Sequence, residues 1–147
     1  MRAFVLRLAP VGRNLVPEAL EVNEISIGWP LATDLLDPSL DYWQFREVLK
    51  WVYHADEPGY QRAGRNASQL WLFIREMTDG DLVVVPHGGQ FYVAEVAGPV
   101  RYRPEKVDQY SAFRRSVRWM NDGTPIPRAQ AWAASHGRRR GPRCNLE

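Results

Sequence analysis

The 147-residue chain carries 19 Lys and Arg against 17 Asp and Glu, with 45% hydrophobic and 24% charged residues, a balance that excludes a disordered or fibrous chain and suits one globular core. Its single cysteine, Cys144, excludes disulfides and cysteine-based zinc sites as organising features. No run approaches the roughly 20 apolar residues that span a bilayer, and the opening Met1-Arg2-Ala3-Phe4-Val5-Leu6-Arg7 is charged too soon for a signal peptide, so no membrane partner and a cytoplasmic location are expected.

In chain order, Phe4 to Leu8 predicts a strand ending at Pro10, and Gly12-Arg13-Asn14 a turn. Pro17-Glu18-Ala19-Leu20-Glu21 suits a first helical turn, where Pro is tolerated and Glu favoured. Glu24 to Trp29 alternates polar and apolar residues up to Pro30, predicting a strand with its Ile side to the core. From Asp41 to Tyr53, the spacing of Tyr42, Phe45, Leu49 and Val52 predicts an amphipathic helix. His54 to Asn66, with Pro58 and two Gly, reads as a surface loop. Ser68 then reads as the cap of a helix with Leu70, Phe73, Ile74 and Met77 on one face, stopped by Thr78-Asp79-Gly80. Asp81–Val85 and Gln90–Val96, joined by Pro86-His87-Gly88-Gly89, predict a hairpin. Val100–Arg103 and Ser116–Met120 predict two further strands, and Pro125–Ala134 a short helix. The sum is an α+β domain over residues 1–135: a small mixed β-barrel of five or six strands with two or three packed helices. Residues 136–147 read as a basic flexible tail, whose final Leu146-Glu147 suggests a cloning junction.

Charge is uneven along this order. Residues 1–100 hold 8 basic and 13 acidic side chains, and residues 101–147 hold 11 and 4. A basic C-terminal third suggests a face that meets a polyanion, against the alternative that Arg138-Arg139-Arg140 and Arg143 merely solvate a tail. Catalytic chemistry is not suggested. His54, His87 and His136 are far apart, no hydrolase or phosphate-loop motif occurs, and Asp34, Asp37 and Asp41 read as turn and helix-cap residues rather than metal ligands. A non-enzymatic domain without metal or cofactor is expected.

Candidate contacts therefore come from shape and stacking. Arg13 and Asn14 are side chains that make bidentate contacts to base edges or phosphate, or they form a plain surface turn. Ser26, Gly28 and Trp29 close the alternating strand at a sheet rim, where Trp29 serves core packing or ligand stacking equally well. Trp43 and Trp51 read as helix packing, while Trp71 falls just off its helix's apolar stripe and is promoted as a contact. Arg101, Arg103, Arg114, Arg115 and Arg118, interleaved with Tyr102 and Trp119, read as a phosphate-gripping face or as a solvated strand face.

The ordered strings Ile25-Ser26-Ile27-Gly28-Trp29-Pro30, Leu70-Trp71-Leu72-Phe73-Ile74-Arg75-Glu76-Met77, Gly80-Asp81-Leu82-Val83-Val84-Val85-Pro86, Tyr92-Val93-Ala94-Glu95-Val96-Ala97-Gly98, Val117-Arg118-Trp119 and Ile126-Pro127-Arg128 resemble the N-terminal domains of Mrr-like and McrBC-like modification-dependent restriction proteins. Those domains are similar to the EVE and YTH modules of the PUA-like superfamily. The resemblance runs from about residue 1 to residue 132. It implies a small barrel with a pocket for one base flipped out of DNA, probed for methylation, with any cutting done by a nuclease domain elsewhere in the full-length chain. On that picture Gly28 and Trp29 line the pocket, Arg13 and Asn14 approach it, Trp71 closes it, and Arg101, Arg103, Arg114 and Arg115 grip the backbone. The alternatives are a PUA-like RNA-binding module, a protein or small-molecule interaction domain, and last a metal-dependent phosphodiesterase.

Overall fold

A computed structural model describes residues 1–130. The expectations for Cys144, for the 136–147 tail and for the last residues of the Pro125–Ala134 helix lie outside them. Six strands are present among the described residues: β1 (Ala3–Val5), β2 (Glu24–Ile27), β3 (Leu82–His87), β4 (Gln90–Tyr102), β5 (Phe113–Trp119) and β6 (Ile126–Pro127). With them stand the helices α1 (Val16–Val22), α2 (Tyr42–Tyr53) and α3 (Gln61–Trp71). The α+β class and the strand number are those expected.

The strands form one mixed sheet in the order β1-β3-β4-β5-β2, with β6 pairing β4. Among the described residues only β1 and β3 run parallel; the other pairs are antiparallel. The sheet is open, because its two end strands, β1 and β2, do not pair with each other among the described residues. Among the described residues the sheet is therefore not closed into a barrel by hydrogen bonds. That gap positions the site described below.

Local chemistry accounts for the elements. Asp41 Oδ1 accepts the Gln44 N–H at 2.9 Å and Gln44 Oε1 accepts the Asp41 N–H at 2.8 Å, a reciprocal cap that starts α2. Gly88, at φ +60°, turns β3 into β4. β4 joins the two segments expected as separate strands, with its register against β5 broken between Val96 and Val100 as at a β-bulge. β6 stands where the last helix was expected to begin, pairing Ile126 with Phe91, and the chain turns helical from Arg128 to Gln130.

α3 is the larger departure. It starts seven residues before Ser68, inside the expected loop, and Ser68 is no cap: its hydroxyl bonds the Gly64 carbonyl within the helix. Its buried face is small, Ala63, Ala67 and Leu70, so the polar residues on the other side mimic a loop. After Trp71 the helix widens into a π-helical turn, Leu72–Glu76, a rare geometry found often at functional sites.

The core lies between the sheet and the α2–α3 pair, centred on Ile25, Phe45, Leu49, Leu70, Phe73 and Phe113. Glu24 and Ser26 are buried along with Ile25 and Ile27, so both faces of β2 are covered. Among the described residues no helix is long and apolar enough to cross a membrane.

Candidate functional site

A cleft of about 890 Å³ opens where the sheet fails to close. One wall comes from the β1 edge and the chain after it, Phe4 to Arg7 and Ala9 to Val11. The other comes from the end of β2, Ser26 to Trp29. α3 and its π-helical extension form the third side, and Tyr53, His54, Glu57 and Tyr110 complete it.

Backbone strain gathers here. Among the described residues six non-glycine residues have positive φ, and the three that are neither Asn nor Asp are Val11 (φ 47°), Trp29 (φ 61°) and Tyr110 (φ 60°). All three line the cleft. A left-handed conformation costs an L-residue about 1–2 kcal/mol and is least tolerated by bulky and β-branched side chains, so surrounding bonds must hold it. Around Trp29 those bonds are present. The Tyr102 hydroxyl donates to the Pro30 carbonyl at 2.9 Å, the Leu31 N–H donates to the Tyr53 hydroxyl at 2.8 Å, and the Ala32 N–H donates to the Trp29 carbonyl at 3.2 Å. Burial pushes the Tyr53 and Tyr110 phenols above their ordinary range, so both hydroxyls stay protonated.

The structure sorts the residues expected from sequence. Ser26, Gly28 and Trp29 line the cleft, and the Trp29 indole is half-buried there, packed against the core while its ring contributes to the wall. Gly28 has a different role from the one expected. A Cβ at that position would stand 3.0 Å from two ring carbons of Tyr110, so its missing side chain makes room for Tyr110 rather than for a guest. Arg13 and Asn14 are exposed and lie outside the lining; Asn14 Oδ1 accepts the Val16 N–H ahead of α1. Trp71 cannot close the cleft, because it sits on the far side of α3 with its ring edge-on to Phe45 at 4.9 Å and to Tyr42 at 5.8 Å.

The arginine face is also corrected. Arg114 and Arg115 are 2% and 4% exposed and bonded internally, so neither can grip a phosphate. Arg114 donates to the Ser111 carbonyl and hydroxyl and pairs with Glu18 at 2.8 Å. Arg115 donates to the carbonyls of Gly98, Phe73 and Met77, tying the irregularity in β4 to the end of the π-helical turn. Arg103 pairs with Glu24 and Arg118 with Glu95. Arg101 is exposed without an ion pair among the described residues, but none of the five lines the cleft. Tyr102 and Trp119 also turn inward, Tyr102 against Phe113 and Trp119 with its indole N–H bonded to the Ala19 carbonyl.

What sequence reasoning missed is the polar face of α3. Arg62, Arg65, Asn66 and Gln69 fall at i, i+3, i+4 and i+7 and all line the cleft. That spacing was the available signal, and it also puts Trp71, nine residues after Arg62, on the opposite side. Arg62 pairs with Glu57, whereas Arg65, and Arg7 from the chain after β1, are exposed and make no ion pair among the described residues. His54 is buried between Glu57 and Asn66. Among the described residues no group of three or more His, Cys, Asp or Glu is placed to hold a metal ion.

In comparisons with known proteins, a family model described as Domain of unknown function (DUF8426) matches residues 11–136. No curated protein and no solved structure matches the chain.

Proposed function

The chain belongs to the DUF8426 family, and we propose that it is a binding module whose cleft receives one modified, methylated base flipped out of DNA. The observation that carries this reading is the meeting of Val11, Trp29 and Tyr110 in left-handed conformations on the walls of one cleft. Strain held at a concave site is the mark of a preorganised contact surface. The remaining features fit. A volume of about 890 Å³ lies within the roughly 300–1,000 Å³ of ligand sites. Flipping a base costs a few kcal/mol, and stacking on an aromatic ring such as Trp29 returns about 1–3 kcal/mol. Ile27, Leu72, Phe73 and Met77 supply apolar wall for a methyl group. Asn66 and Gln69 supply hydrogen bonds to an edge, and Arg7 and Arg65 supply charge for the flanking phosphates. The likeness of its strings to the heads of Mrr-like and McrBC-like proteins supports a role as the targeting domain of a restriction endonuclease, with cutting done by another domain.

Gel-shift titration tests the reading with duplexes whose cytosines or adenines are unmodified, methylated or hydroxymethylated, and with single-stranded RNA of the same sequence. One modified duplex should bind most tightly, and Trp29→Ala should weaken that complex by about tenfold or more. Equal, weak binding to every probe, abolished by moderate salt, defeats the proposal. Preference for the RNA would move the assignment to an RNA-binding module.

A further inference from the structure

His54, at the end of α2, is buried in the wall of the cleft. Its Nδ1 faces Glu57 Oε2 at 3.1 Å, and Lys50 braces the turn by donating to the carbonyls of His54 and Glu57. A carboxylate only accepts, so in the neutral ring Nδ1 carries the proton and Nε2 keeps its lone pair. On the other side the Asn66 amide nitrogen stands 3.0 Å from Nε2. An NH₂ group only donates, so this bond fits the same tautomer and no other. The consequence falls on the far end of the amide. With its nitrogen turned to His54, Asn66 leaves its Oδ1 to the cleft it lines, without a hydrogen-bond partner among the described residues.

We infer that His54 is a positioning residue that, through Glu57, makes Asn66 present an acceptor to the cleft, so that the base taken up is one offering an exocyclic amine, as cytosine and adenine do. The inference rests on the base-reading proposal above and deepens it. Uracil and thymine offer only a ring N–H lying between two carbonyl oxygens, both of which would be repelled by the same amide oxygen.

The test uses the full chain and duplexes with one position opposite an abasic site, carrying the 5-methylated form of cytosine, 2-pyrimidinone (cytosine without its amine) or uracil, or no base. Binding is read by gel shift. Loss of the amine should weaken binding about tenfold, the worth of one well-made hydrogen bond in a closed site. Asn66→Leu should make cytosine and 2-pyrimidinone bind alike. His54→Phe, which leaves the Asn66 amide nitrogen without its acceptor, should shrink the preference for cytosine over uracil. Equal binding of cytosine and 2-pyrimidinone by the wild type, with the base-free probe still weaker, overturns this inference and leaves base reading standing. A base-free probe bound as tightly as cytosine overturns base reading and this inference with it.

Discussion

Gly28 and Arg115 show how much of this site depends on single residues that touch no guest. A methyl group at position 28 would press on the Tyr110 ring at 3.0 Å. That ring stands on a left-handed residue and packs edge-on against Tyr53 with centroids 6.3 Å apart, so it has little room to retreat. Gly28→Ala should therefore destabilise the fold by about 1–3 kcal/mol, the usual cost of overpacking, read as a lower urea midpoint. Arg115→Leu should cost more, about 3 kcal/mol or above, because the carbonyls of Gly98, Phe73 and Met77 all lose a buried donor. Arg101→Ala should leave the midpoint within about 0.5 kcal/mol of wild type. In the sequence these arginines look alike. All fall at alternating or adjacent positions on the late strands and the loop between them, and only the pairing of β5 between β4 and β2 decides which ones the fold encloses.

At the scale of elements, what was legible followed from local chemistry. The cap of α2 and the glycine turn between β3 and β4 each depend on residues within a few positions of one another, and both stand where the sequence places them. Asp81 likewise explains its own prominence in the Gly80-Asp81 string: its carboxylate accepts the N–H groups of Arg2 and Thr78, fastening the start of β1 beside β3. The candidate site was only half legible, since the rim at Ser26, Gly28 and Trp29 is local to one strand while its facing wall is the polar side of a helix read as loop. That helix carries its own prediction. If Arg65, together with Arg7 across the cleft, meets the phosphates beside the bound base, replacing either by Ala should weaken binding to all duplexes and lower the slope of log affinity against log salt by about one. Replacing Arg118, paired with Glu95 on the sheet, should leave that slope unchanged.

Over the whole molecule, charge joins segments distant in sequence, and this makes stability depend on pH at both ends. Arg114 and Lys106 both pair with Glu18, and Arg103 with Glu24, linking α1 and β2 to β5 and to the chain that follows β4. Burial works to raise the Glu18 pKa, but the hydrogen bonds and charges of Arg114 and Lys106 together outweigh it and hold the carboxyl below its ordinary 4.5. Asp81 is held below its ordinary 3.8 by the N–H groups of Arg2 and Thr78. For both groups the unfolded chain takes up protons first as pH falls. Their stabilisation is complete above the ordinary value and disappears as pH drops through the lower, folded one. Tyr53 and Tyr110 act in the opposite direction. Burial raises both phenols above their ordinary 10.0, so the unfolded chain ionises first and stability declines as pH climbs past that value. Urea midpoints should thus be level from about pH 6 to about pH 9 and fall on both sides. Glu18→Gln isolates one contribution. It leaves the Arg114 guanidinium, 2% exposed, without its closest carboxylate, so the variant should be less stable at neutral pH. Its acid limb should also be shallower than wild type's, and the two curves should converge once Glu18 is protonated. Parallel curves, separated by the same gap at every pH, would show that the carboxyl fills space beside Arg114 and contributes no charge to the fold.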